Sequence, residues 1–180
     1  MGVRRWGGGV GSSLLAIVMV GAACSSGARP PPTGKGDVVP VLKVTDGDTI
    51  HVRYAGRDER VRLIGVNTPE VPWYGGPGQC FGVDAGQYAR RRLSGRTVEL
   101  AFDVARRDRY GRLLAYVYLG PELFNLTLVR LGYAVADPVP PDTAMAGRFE
   151  SAESEARSLR RGLWAACPHP PRGSPAVASP

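Results

Sequence analysis

Histidine is nearly missing from this chain: His51 and His169 are the only two among 180 residues. A zinc centre wants about four nitrogen or sulfur ligands, so two histidines and three scattered cysteines argue against one. Hydrolytic chemistry built on a histidine base finds equally little support. Long apolar runs are wanting too. The run Leu14 to Val20 is too short to span a bilayer, and no internal repeat recurs along the chain.

What is present bounds the rest. An apolar fraction of 43% in 180 residues is enough for one core of common size, so one compact domain with tails is expected. Residues 1–23, with Arg4 and Arg5 ahead of the apolar run and Gly21, Ala22 and Ala23 after it, read as an export signal and are set aside from the fold. Small residues before Cys24 also resemble the bacterial lipoprotein signal, with Gly21 where that signal carries a leucine-like residue. Lipidation of Cys24, plain secretion and an uncleaved anchor all stay open. Without Arg4 and Arg5 the chain keeps 21 basic and 16 acidic residues, a net charge of +5, which suits a polyanionic partner as well as simple solubility. Cys80 and Cys167 remain. In an exported protein an isolated pair reads as a disulfide, tying the loop after Glu70 to the end of the domain.

Residues 24–36 are Pro- and Gly-rich and read as a tether. The domain is expected over 37–167, followed by a low-complexity tail at 168–180. Val38 to Val44 reads as a strand, Asp46-Gly47 as a hairpin turn, and Thr49 to Tyr54 as a second strand. Gly56 to Asp58 then turns the chain into a third. Val83 to Leu93 has helical spacing, Thr97 to Phe102 and Leu113 to Leu119 return as strands, and Glu122 to Leu131 reads as a second helix ending at Gly132. Asp142 or Thr143 is placed to cap a third helix running to Arg161. The expectation is an α+β fold, a five-stranded OB-type barrel with three helices.

Chemistry concentrates in Arg60 to Glu70. Val61, Leu63 and Gly65 alternate with Arg62, Ile64 and Val66 until Asn67-Thr68-Pro69 breaks the period, which places Arg62 on one face with Ile64 and Val66. A guanidinium there needs a carboxylate or phosphate, because an unpaired buried charge costs several kcal/mol. Asn67, the Thr68 backbone and Glu70 follow as oxygen ligands or acceptors. Two further stretches count: Asp46-Gly47-Asp48-Thr49, a turn with two carboxylates, and Asp108-Arg109-Tyr110-Gly111-Arg112, a turn that leaves an arginine at a strand root. Alone, each is ordinary turn or surface chemistry. Together they supply what phosphodiester hydrolysis asks for: oxygen ligands for a hard cation, a base for water, and guanidinium donors for charge on phosphorus.

Those motifs, in that order and at those separations, resemble the thermonuclease family, the staphylococcal-type calcium-dependent nucleases. The resemblance extends over about Val38 to Trp164 through Asn125 to Gly132 and Gly162-Leu163-Trp164. It implies an OB barrel cutting DNA and RNA between phosphorus and the 5′ oxygen. By position, Asp48, Asn67 and the Thr68 carbonyl would ligand one Ca²⁺, Glu70 would be the general base, and Arg62 and Arg112 would bind the reacting phosphate. Asp46, Asp108 and Tyr110 would support them. Asn67 stands where the best-known members carry a carboxylate, so calcium affinity should fall or another divalent ion be preferred. Their base-stacking tyrosines have no evident counterpart after Gly132.

A non-catalytic OB module that binds nucleic acid at the cell surface is the alternative. An acidic group facing the phosphate, Glu70, speaks against it. The partners expected are DNA and RNA, with a membrane only through a lipid on Cys24, and a monomer is the default.

Overall fold

The computed structural model describes residues 1–3, 36–72 and 77–170. Nearly all of the expected export signal, Cys24, the tether up to residue 35 and the tail from residue 171 fall outside the described residues. Among the described residues eight strands and four helices follow in chain order: β1 (Asp37–Val44), β2 (Thr49–Tyr54), β3 (Arg57–Leu63), β4 (Gly65–Asn67), α1 (Gly82–Leu93), β5 (Thr97–Ala101), β6 (Leu113–Leu119), β7 (Glu122–Leu123), α2 (Phe124–Arg130), β8 (Val135–Asp137), α3 (Ala146–Ser158) and α4 (Leu163–Ala166). Five of the strands close a barrel. Along β3-β2-β1-β5-β6 the neighbours are antiparallel, and β6 returns to β3 in parallel, with Val61, Arg62 and Leu63 opposite Leu113, Leu114 and Ala115. This is the OB-type α+β fold that the strand pattern predicts, with one more short helix than expected.

Strict alternation builds the barrel interior. Ile50 and Val52 of β2, Val61 and Leu63 of β3, Val98 and Leu100 of β5, and Leu113, Ala115 and Val117 of β6 are all buried. Strand β1 departs from the period. Its register against β2 shifts between Val41 and Lys43, a bulge that lets both Val41 and Val44 face the core while Lys43 stays exposed. Outside the barrel, Tyr116 stacks on Phe149 of α3 with ring centroids 6.2 Å apart, both fully buried. Truncating Phe149 to alanine would cost about 3–5 kcal/mol at such a site.

The structure corrects several local expectations. Strand β3 ends at Leu63, and the chain turns at Ile64-Gly65 before Asn-Thr-Pro is reached. Gly65 takes φ +75°, and a Cβ there would lie 2.5 Å from the Phe149 ring, so only glycine allows this turn. Arg62 consequently shares no continuous strand face with Ile64 and Val66; both of those are buried, as Leu63 is. The β2–β3 turn sits at Ala55-Gly56, with β3 already begun at Arg57. Glu122 and Leu123, expected as helix, pair with β6 as β7. Asp142 does not cap α3. Its carboxylate accepts the N–H groups of Val104 and Ala105 at 2.9 and 2.8 Å, tying the loop after β5 to the approach to α3. The helix begins three residues after Thr143, with no side-chain cap, and ends at Ser158, before Arg160 takes a left-handed conformation.

Candidate active site

Three chain segments meet at one barrel mouth. The turn between β1 and β2 presents Asp46 and Asp48; β3 and the segment after β4 present Arg62 and Glu70; the root of β6 presents Arg112. All five line one cleft of about 470 Å³. The turn approaches Thr68 so closely that a Cβ on Gly47 would lie 2.6 Å from its methyl carbon. That approach docks Asp48. Its Oδ2 accepts the Thr68 N–H at 2.8 Å and the Thr68 hydroxyl at 2.9 Å, and lies 3.0 Å from Arg62 Nη1. Thr49 donates to its other oxygen at 3.2 Å.

Arg62 holds more than Asp48. Nη1 also donates to the carbonyls of Leu63 and Val66 at 3.2 and 2.8 Å, and Nη2 to Asn67 Oδ1 at 3.2 Å. The guanidinium thereby staples the turn that its own strand leads into. Asn67 and Thr68, expected as ligands, serve here as partners of Arg62 and Asp48. Across the cleft, Arg112 Nε donates to Asp108 Oδ2 at 2.7 Å, and Asp108 Oδ1 accepts the backbone N–H groups of Tyr110 and Arg112, both at 2.9 Å. Burial pushes the Asp108 carboxyl up, but the Arg112 side chain and these N–H groups outweigh it and hold the carboxyl below its ordinary value. Tyr110 is exposed beside this pair, with the Arg112 guanidinium 5.6 Å from its ring centre. It lines a second hollow, of about 490 Å³, that shares Arg62 and Arg112 with the first.

Negative charge is crowded at the other wall. Burial, then the neighbouring carboxylates of Asp48 and Glu70, push the Asp46 carboxyl from 3.8 up to about 6. Three acids around one cleft are an oxygen-only donor set that suits a hard divalent cation. Among the described residues, however, no three His, Cys, Asp or Glu side chains converge as a metal cage. The Asp48 oxygens are turned to Thr68, Thr49 and Arg62. Such a cation fits the chemistry of the site, with neutral oxygens and water completing its shell.

Glu70 is exposed, and its position depends on its backbone. Gln79 Oε1 accepts the Glu70 N–H at 3.0 Å, and the Gln79 N–H donates to the Glu70 carbonyl at 2.9 Å. Next along the chain, Cys80 is bonded to Cys167 with Cα atoms 5.9 Å apart. Sequence reasoning passed over Gln79, because a loop glutamine carries no periodic signal. It also passed over Lys43, Thr45, His51 and Arg60, which line the cleft. Arg60 was accessible, since it lies two residues before Arg62 on the same strand face; Lys43 was not, because the bulge sets its direction. His51 pairs with Asp58 at 2.8 Å.

A family model described as staphylococcal nuclease homologue matches residues 60–166. This chain belongs to the staphylococcal nuclease family. Its relatives include a thermonuclease of Staphylococcus intermedius, 41% identical over 130 residues, 72% of this chain and 77% of the relative. A thermonuclease of Staphylococcus hyicus is 40% identical over 124 residues, 69% of this chain and 73% of the relative. Endonuclease YncB of Bacillus subtilis (strain 168) is 38% identical over 124 residues, 68% of this chain and 59% of the relative. The nuclease-family match takes in Arg62, Glu70 and Arg112; Asp46 and Asp48 lie just ahead of it.

Proposed function

We propose that this cleft hydrolyses phosphodiester bonds of DNA and RNA, with a divalent cation, calcium first, as its partner. Family membership and the thermonuclease and endonuclease relatives support a nuclease. The observation that carries the mechanism is the cleft itself, in which the guanidinium groups of Arg62 and Arg112, with Arg60 beside them, and three carboxylates face one space large enough for a phosphodiester.

Glu70 orients the attacking water and takes its proton. The water oxygen forms a bond to phosphorus as the bond to the 5′ oxygen breaks, so the products are a 3′-phosphate and a 5′-hydroxyl protonated from solvent. Charge gathers on the phosphoryl oxygens during this exchange, and fixed donors that meet it there lower the barrier. Arg62 is built for that. A guanidinium has five N–H groups; the described contacts engage Nη1 and one side of Nη2, which leaves an Nε and Nη2 edge for a bidentate grip on phosphate. Arg112, steadied by Asp108, meets the phosphate from the other wall. The hollow beside Tyr110 would receive the nucleotide joined to that phosphate. Asp48, the Asn67 amide oxygen and the Thr68 carbonyl would hold the cation, supported by Asp46. Held there, such a cation would supply Lewis-acid polarisation of the phosphate and of water.

End-group analysis tests the reaction. Products of a 5′-labelled oligonucleotide should shift in mobility after phosphatase treatment of their 3′ ends. Products with 3′-hydroxyls would contradict the proposed bond cleavage.

On the same reading the protein works outside the cytoplasm. A disulfide between Cys80 and Cys167 supports an oxidising compartment, and residues 1–23 read as an export signal, with Cys24 the candidate for lipidation. Lipid labelling of intact cells tests the anchor: label that persists in Cys24→Ser would contradict it.

A further inference from the structure

The catalytic cleft continues past its own wall. Lys43 and Thr45, which line it, also line a neighbouring depression of about 400 Å³ whose other walls include Val71, Pro72, Val83 and Arg90. The two hollows are therefore neighbours across one shared wall. Among the described residues, two cations and no acid border the second part, and its floor is apolar. The fold places both cations. The β1 bulge turns Lys43 outward, while Arg90 of α1 lies back over Gly86, where a Cβ would sit 3.3 Å from its Nη2, and reaches the Thr45 carbonyl at 3.4 Å. At the shared wall, the Thr45 hydroxyl oxygen is buried without a hydrogen-bond partner among the described residues.

We propose that this depression is a second nucleotide subsite. It takes a single-stranded polynucleotide, holding a backbone phosphate next to the reacting one between Lys43 and Arg90. The attached base rests on Val71, Pro72 and Val83. This rests on the nuclease reading of the first cleft, and extends it from one nucleotide to a run of chain. Its chemistry is that of sequence-tolerant strand binding, in which cations track phosphates and an apolar surface receives the base.

The test uses the full chain carrying Glu70→Gln, so that substrates bind without being cut, in the presence of calcium. Fluorescent oligothymidylates of two to eight nucleotides are titrated by anisotropy into this protein and into the same protein with Lys43→Gln and Arg90→Gln. The parent should bind longer strands more tightly than the dinucleotide. The added substitutions should weaken the longer strands by tenfold or more and the dinucleotide by far less, and reduce the salt slope by about 0.7 for the one phosphate they hold. Equal weakening at all lengths, or none, would overturn the subsite. Val83→Glu, on the exposed start of α1, should reproduce the length-dependent loss with both cations in place; unchanged binding would count against the floor. Cleavage by chain with Glu70 intact separates the two claims. Length-dependent binding without cleavage leaves the subsite and removes the catalytic reading; cleavage with no length dependence does the reverse.

Discussion

Gln79 grips Glu70 at both ends of its backbone, through a side-chain oxygen 3.0 Å from its N–H and an N–H 2.9 Å from its carbonyl. The residue after Gln79 is bridged to Cys167, 87 positions along the chain. An exposed acid is thus held by a clamp anchored to the far end of the domain. Replacing both cysteines by serine should destabilise the domain by about 2–5 kcal/mol, since the bridge closes a long loop in the unfolded chain. Thermal melting checks this, and cleavage well below the melting temperature should fall as well because Glu70 loses its support. Unchanged melting and activity would contradict the clamp.

The two arginines should fail differently. Arg62→Ala leaves Asp48, about 6% exposed, without its cation and frees two backbone carbonyls, so it should cost about 3–5 kcal/mol of stability besides activity. Arg112→Ala should leave the melting temperature within a few degrees while removing about 100- to 1,000-fold of turnover. Arg62→Lys should also lose most turnover, because an ammonium does not reproduce a bidentate fork. Chemical denaturation and kinetics on the same preparations measure both effects; equal stability losses in the two alanine variants would count against the distinction.

Asp46 supplies a pH signature. Its folded value, about 6, lies above the ordinary 3.8, so the folded state holds this proton more tightly than the unfolded one. The group is neutral and without cost below about pH 4, and its cost grows as pH rises through about 6, reaching a ceiling of about 3 kcal/mol. Asp46→Asn keeps the oxygen that accepts the Asp48 N–H at 3.0 Å but removes the charge. In chelator it should raise the melting temperature at pH 7 and have little effect at pH 4. A loss of stability at pH 7 would refute the crowding of acids.

Asn67→Asp adds a charge beside Asp48 and Arg62. Affinity for calcium, measured by calorimetry, should rise about tenfold or more. A fall would show that Asn67 serves Arg62 alone.

The barrel was legible where a strand is buried on one side. Strand β2 carries unbroken alternation and β6 is a continuous apolar run with flanking turn signals, and the ends of both were predicted to the residue. The turn at Gly65 was hidden because Val66 continues the apolar run across it. Only the Phe149 ring, 84 residues away, reveals why glycine stands there. Strand β8 exists through its pairing with β4, a non-local partner that three residues cannot announce. Asp142 looked like a cap because its sequence neighbours permit one, yet a distant loop claims its carboxylate. At the cleft, Asp48, Arg62, Glu70 and Arg112 were marked by charged residues set at strand ends. Lys43, Thr45 and Gln79 depend on a bulge and a loop, which leave no periodic trace.

Single-turnover cleavage of single-stranded DNA by the full chain, with binding followed in parallel, tests the central claim most directly. Wild-type protein should cut with calcium and not with chelator, and Glu70→Gln should bind the strand as tightly while cutting at least about 100-fold more slowly. Tight binding by wild-type protein with no cleavage under any divalent cation would contradict the account and make this cleft a binding site alone.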